Sequence, residues 1–269
     1  MDSAIQLPLL SHSQRKTFED CPYQWYLQKR ARDEYGNRLK PMTAGWFHHG
    51  TAVHAALEQW ELSNREIDAV SVFYSEYDKT ISEYLESHPY ESEWLRGGRK
   101  SRSDDVSQRR ELGAEQVRWY VRWAPQQEWR PCRLPDPDGG PGTLAAETEF
   151  RLQLGGVMVR GIADAVWQLP DGCVIVVDYK TGTRPPDDDE QLGLYALALS
   201  ELCGAVVAGA GYLMLRERRL VRADLSRYTR GWLTDAYERT RKGIASGKYP
   251  ARPGSCFTCT MKQHCEYAS

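Results

Sequence analysis

The sequence contains no apolar run long enough to cross a bilayer. Its longest, "AVVAGAGYLML" (205–215), falls well short of the roughly 20 residues a spanning helix requires. No basic segment precedes the first apolar stretch in "MDSAIQLPLLSHSQRK", so a secretory leader is not expected and a cytoplasmic location is. Charge of one sign is not in excess: 35 Lys and Arg face 37 Asp and Glu, a formal net charge of −2. Any polyanionic partner must therefore be met by local patches. A phosphate-cradling loop is also missing, since "GGRKS" (97–101) lacks the required glycine spacing, and this excludes a P-loop motor. Neither an internal repeat nor a low-complexity segment is present.

What remains is an ordinary globular composition, 41% hydrophobic and 27% charged over 269 residues, ample for a core. Helical spacing marks 10–30, 48–62 and 101–124, with a charged, mobile loop expected at 96–105. The turn-rich "PDPDGGPG" (135–142) marks a boundary. Strands are expected at 144–154, 157–169 and 173–180, joined by hairpin turns at "GG" (155–156) and "PDG" (170–172). A helix at 187–202, a strand pair at 206–215 and 218–224, and a helix at 225–246 complete the pattern before a cysteine-bearing tail. The implied division is a mainly helical region over 1–140, a sheet-and-helix core over 141–224, and a C-terminal helix and tail over 225–269.

The stretch "CVIVVDYKTG" (173–182) ends a buried-looking strand on two charges. Residues two apart on a strand share a face, so Asp178 and Lys180 project together. A hairpin at 170–172 turns the preceding strand antiparallel and brings Asp164 beside Asp178. Two adjacent carboxylates repel unless a cation lies between them, and a hard divalent ion such as Mg²⁺ or Mn²⁺ suits oxygen ligands. The lysine adds a group able to position a water or stabilise a pentacovalent phosphate. The competing reading is a surface hairpin with one ordinary ion pair.

The arrangement "GIADAVW…VIVVDYKTG" resembles the metal-binding core of PD-(D/E)xK nucleases, specifically the RecB-like exonuclease branch. "GTAVHAALE" (50–58) resembles the upstream helix motif of that branch, and "QLGLYALAL" (191–199) its helix after the lysine strand. The resemblance implies a restriction-endonuclease-like α/β core, a mixed sheet flanked by helices. It implies His54, Asp164 and Asp178 as metal ligands with the Tyr179 carbonyl, Lys180 as the catalytic lysine, and Gln191 and Tyr195 near the scissile phosphate or bracing the site. The proline of the family name is replaced by alanine before Asp164. His48 and His49 compete with His54, Glu147 is a weak supporting candidate, and Glu149 is expected to be structural.

Cys256, Cys259 and Cys265 form a short-range thiol set, and Cys21, followed by proline, stands far away in sequence. Such a set holds zinc, with His264 as an alternative ligand, or an iron–sulfur cluster; spacing alone does not separate them. The same resemblance implies a [4Fe–4S] cluster held by Cys21, Cys256, Cys259 and Cys265. Cys132, in a polar loop, Cys173 and Cys203 are expected to bind no metal. Basic segments at 29–32, 96–102 and 216–222, and Trp119, Trp123 and Trp129, are candidate DNA contacts, weighed against solvated faces and core packing.

The expected function is a metal-dependent exonuclease acting on single-stranded DNA or duplex ends in recombination, repair or replication, serving a separate helicase or recombination protein. The alternatives are a CRISPR adaptation nuclease trimming spacer precursors with an integrase partner, and a non-catalytic DNA-binding scaffold.

Overall fold

A computed structural model describes residues 8–96, 98, 100–134 and 143–268. The chain opens with strand β1 (Leu9–Ser11) and runs into helix α1 (His12–Asp20), whose N-terminus is capped by the Ser11 hydroxyl at 3.2 Å from the Gln14 amide. One helix was expected over 10–30, but two form. Cys21 is extended at φ −155°, because the following proline excludes helical geometry there, and its sulfur caps α2 (Pro22–Lys29).

Three long helices follow: α3 (Gly45–Leu62), α4 (Ala69–Ser87) and α5 (Arg102–Trp123). Helix α4 went unmarked in the sequence, because its β-branched and aromatic residues blur the helical period. The short strands β2 (Arg130–Pro131), β3 (Arg133–Leu134) and β4 (Thr143–Leu144) flank the turn-rich segment 135–142, which lies outside the described residues. Strands β5 (Ala146–Leu154), β6 (Val157–Gln168) and β7 (Val174–Lys180) match their sequence signals closely. Helix α6 (Glu190–Cys203), strands β8 (Val207–Met214) and β9 (Arg219–Arg222), helix α7 (Arg230–Ala245) and a tail of short turns complete the chain. No helix among the described residues is long and apolar enough to cross a membrane.

Seven strands form one mixed sheet around β6, with the order β1-β6-β7-β8-β9 and with β5 and β2 also pairing β6. Strands β5 and β7 are antiparallel to β6, whereas β1 on β6 and β8 on β7 are parallel. Helices α6 and α7 cover one face, where Leu192, Leu194, Leu233 and Tyr237 meet Val157, Val159 and Val176. The other face is covered by α3, α4 and α5, where Val53, Leu57, Phe73 and Val117 meet Val177, Tyr179 and Leu213. The architecture is α/β, a mixed sheet between two helical layers.

Helix α1 lies against the start of α6. The buried Arg15 guanidinium pairs with the buried Glu190 carboxylate in the first turn of α6, and Lys16 reaches Asp188 at 3.0 Å. An acid at a helix N-terminus also meets the favourable end of the helix dipole.

Gly113 of α5 packs where the Phe73 ring of α4 crosses, and a Cβ there would overlap that ring. Alanine gains about 1 kcal/mol of helix propensity over glycine, but overpacking costs about 1–3 kcal/mol and outweighs it. Gly113→Ala is expected to lower the midpoint of thermal unfolding by a few degrees; an unchanged or raised midpoint would show that the contact is loose.

Candidate metal centre

The site forms where the pairing of β6 divides. On one edge, residues 158–160 pair with β1 and 165–168 with β7, and Asp164 falls between them. On the opposite edge the ladder to β5 joins Ala146 to Ala165 and Thr148 to Ala163, and Glu147 and Asp164, which face each other between those pairs, are left unpaired. Glu147 adopts a left-handed φ of +45°, unusual for a residue other than glycine. The strand alternation resets there. Ala163 and Val166 lie in one core, while Ala165 and Trp167 lie in the other. This irregularity aims Glu147 and Asp164 at one point.

His54, Glu147 and Asp164 each present a ligand atom within 4.8 Å of the others, a set able to hold a metal ion. The His54 imidazole Nδ1 is 3.4 Å from Glu147 Oε1 and 3.5 Å from Asp164 Oδ2. Its Nε2 donates to the Tyr179 carbonyl at 2.8 Å, which fixes the ring and leaves Nδ1 facing the carboxylates. The Tyr179 amide in turn donates to Asp164 Oδ2 at 2.8 Å. Burial opposes charge on His54, but Asp164 and Glu147 prevail and raise its pKa well above the ordinary imidazole value.

Asp178 lies on the α6 side of β7 and is 1% exposed. Lys180 shares that face, with Nζ 2.6 Å from Asp178 Oδ2 and 5.8 Å from the centre of the Tyr212 ring. The compact group is His54, Glu147 and Asp164, and Asp178 stands outside it with its Oδ2 held by the lysine. Burial, then the charge of Asp164, pushes the Asp178 carboxyl up to about 6 against the pull of Lys180. Burial alone would raise Asp164 too, but His54 and the Tyr179 amide hold it low.

Helix α3 grips the end of β7 twice. One grip is the bond from His54 to the Tyr179 carbonyl. In the other, the Tyr120 hydroxyl donates to Glu61 Oε1 at 3.0 Å and accepts from the Tyr179 hydroxyl at 2.8 Å. Glu61 is buried and braced by Arg65 at 2.9 and 3.2 Å. Sequence reasoning missed this chain of bonds, since nothing local joins positions 61, 120 and 179. His49, a competitor to His54, is buried against Gln116 at 2.7 Å, and Gln116 holds the Thr181 carbonyl at 2.9 Å. His48 stacks on Trp94 with ring centres 6.0 Å apart. Neither belongs to the metal group.

Gln191 Nε2 donates to the Tyr195 hydroxyl at 2.8 Å, and the Tyr195 ring packs edge-on to Phe150. Burial, together with the charges of Asp164, Asp178 and Glu147, raises the Tyr195 hydroxyl far above its ordinary value. Glu149, expected to be structural, pairs with Arg160 at 2.7 Å.

Cys21, Cys256, Cys259 and Cys265 line one small enclosed cavity between α2 and the tail. The Cys21 sulfur accepts from the amides of Gln24 and Arg252, both at 3.4 Å. His264 is not in this lining and contacts the Lys40 carbonyl at 2.8 Å. Cys132, expected in a polar loop, is instead buried in the core that Cys203 also packs against.

Trp119, Trp123 and Trp129 pack on one another and on Trp167 as an aromatic cluster over the core. That explains them as packing residues rather than base-stacking ones. In the charged loop, Gly97 and Arg99 lie outside the described residues; Arg96 pairs with Glu91 at 3.0 Å.

A pH test follows from Asp178. Its raised pKa means that ionised, buried Asp178 costs stability above about pH 6, a cost relieved as pH falls toward about 4. Asp178→Asn is expected to stabilise the metal-free protein at about pH 8 by on the order of 1–3 kcal/mol and to lose most of that advantage by about pH 4. Thermal melts in chelator across this range check it, and a pH-independent difference between the two proteins overturns it.

The Gene 69 protein of Mycobacterium phage D29 is 32% identical over 278 aligned positions, covering 97% of each chain. The Gene 69 protein of Mycobacterium phage L5 is 28% identical over 299 positions, covering 98% of each. The crystal structure of SSO0001 aligns with 92% of this chain and 97% of its own at 16% identity and a TM-score of 0.35, a likeness too loose to bear on the site. The model of the PD-(D/E)XK nuclease superfamily matches residues 9–267. With that match along nearly its whole length, this chain belongs to the PD-(D/E)XK nuclease superfamily.

Proposed function

We propose that the chain is a divalent-cation-dependent DNA exonuclease of the RecB-like type, with a structural [4Fe–4S] cluster joining its two ends. The observation that carries the catalytic reading is the convergence of His54, Glu147 and Asp164, with the Lys180 charge acting on Asp164. One imidazole and two carboxylates suit Mg²⁺ or Mn²⁺, hard ions that favour oxygen ligands. Asp178 and the second lone pair of the Tyr179 carbonyl are the further donors of the set. Such an ion supplies Lewis-acid charge at the scissile phosphate and acidifies a bound water.

The chain's own residues do the rest. Asp178 fixes the Lys180 ammonium at the end of β7, where a positive charge acting on Asp164 stabilises the extra negative charge of a pentacovalent phosphate. His54, held through Nε2, presents the same nitrogen to the ion at every turnover. Gln191 and Tyr195, bonded to each other, offer a donor and a hydroxyl from the opposite helix.

Support for the cluster comes from four thiols around one cavity with no histidine in its lining. Two backbone amides directed at Cys21 suit a thiolate ligand. Tying Cys21 to the tail closes a loop of more than 230 residues, where a metal clip constrains the unfolded chain most.

Lys180→Ala is expected to reduce Mg²⁺- or Mn²⁺-dependent cleavage of end-labelled oligonucleotides by about a hundredfold or more while preserving the fold. Undiminished activity sinks the mechanism, and label release from internal sites alone sinks the exonuclease assignment. The purified protein is expected to be brown, absorbing near ~400 nm, with iron and acid-labile sulfide in equal amounts. A colourless protein with stoichiometric zinc refutes the cluster.

A further inference from the structure

One face of α3 belongs to neither core. Its buried residues, including Val53, Ala56, Leu57 and Trp60, turn toward the sheet and the neighbouring helices. Phe47, Gly50, Thr51, His54, Ala55 and Glu58 recur at the opposite phase of the helix and line an open cleft of about 460 Å³ that Glu147 also borders. The cleft therefore starts at two members of the metal group and runs along α3 to an aromatic ring.

That ring is 45% exposed, although Phe47 has no polar atom to satisfy in water. Trp46 lies beside it, with ring centres 5.6 Å apart. Trp46 is itself covered by the Arg109 guanidinium 5.6 Å above its ring, and Arg109 is anchored by Asp105 at 2.8 Å. The aromatic end of the cleft is thus firmly backed. Between Phe47 and His54 the floor is low, made by Gly50 and Thr51. A Cβ on Gly50 would meet only the Thr181 hydroxyl, at 3.8 Å, so packing does not impose this emptiness.

The seven steps from Phe47 to His54 span about 10 Å of helix, the reach of at most about three nucleotides even when the bases stay stacked at about 3.4 Å. Glu58 and Glu147 give the cleft a negative border, which turns phosphates away except where a cation holds them. A strand entering here lays its backbone toward the metal group and its bases toward the ring.

We propose that Phe47, backed by Trp46, is a stacking platform for an unpaired nucleobase within about three nucleotides of the scissile phosphate, which makes the cleft a subsite for single-stranded DNA. The proposal deepens the nuclease reading and rests on it. Bases inside a duplex are already paired and stacked and offer no free face, whereas every unpaired base does, whatever its identity.

The test uses the full-length protein with Ca²⁺ and short oligonucleotides carrying 2-aminopurine at successive positions from one end. The wild type is expected to quench the probe at one or two adjacent positions, and Phe47→Ala to abolish that quench. Replacing the base there by an abasic site should weaken wild-type binding about five- to a hundredfold, but the Phe47→Ala protein by less than about twofold. Phe47→Tyr should restore both signals. Gly50→Leu, whose Cβ meets nothing nearer than the Thr181 hydroxyl at 3.8 Å, should lose them while keeping its melting temperature.

An equal base-to-abasic ratio for wild type and Phe47→Ala overturns the platform. A wild type that cleaves DNA yet shows this equality leaves the nuclease reading intact. A wild type that shows the quench but cleaves nothing with any divalent cation removes the nuclease reading and leaves the binding subsite.

Discussion

The molecule is organised around the mutual repulsion of carboxylates that it forces together. Asp164 and Asp178 are both buried, and Glu147 points at the same small volume. Left alone, such a group would take up protons or push apart. Instead each charge has an assigned answer: His54 for Glu147 and Asp164, the Tyr179 amide for Asp164, and Lys180 for Asp178. The three-layer fold follows from supplying those answers. Helix α3 must lie across the end of β7 to deliver the imidazole, and β6 must break its pairing to turn Asp164 out of the ladder.

Much of this was legible in the sequence because it is local. The charged end of β7, the hairpin that sets Asp164 near Asp178, and the histidine on the preceding helix are each visible over about ten residues. Glu147 was undervalued for a definite reason. Regular alternation puts Glu147 and Glu149 on one face, and only the left-handed turn at Glu147 separates their fates. One acid joins the metal group and the other pairs with a surface arginine. The chain from Glu61 through Tyr120 to Tyr179 was invisible for another reason, since three distant positions meet only in the folded state. Helix α4 escaped because its aromatic and β-branched residues speak for strand as loudly as for helix.

The cysteine end of the molecule is not independent of the catalytic end. Helix α1 carries Arg15, which pairs with Glu190 next to Gln191, and ends at Cys21, which faces the tail. Whatever steadies the tail also steadies α1, and through a buried ion pair it steadies the first turn of α6. Removing one partner of such a pair leaves the other charge stranded in the interior.

The meeting of Cys21 with Arg252, 231 positions further on, bears on how the protein is born. A chain leaving the ribosome folds its first helices early. Helix α1 can meet Asp188 and Glu190 before the tail exists, but Cys21 and α2 meet residues 252–265 only after these have emerged. Until then the Cys21 end of the N-terminal segment has no tail to rest on. Synthesis thus imposes an order on assembly in which the carboxylate group can form first and the closure of the ends comes last.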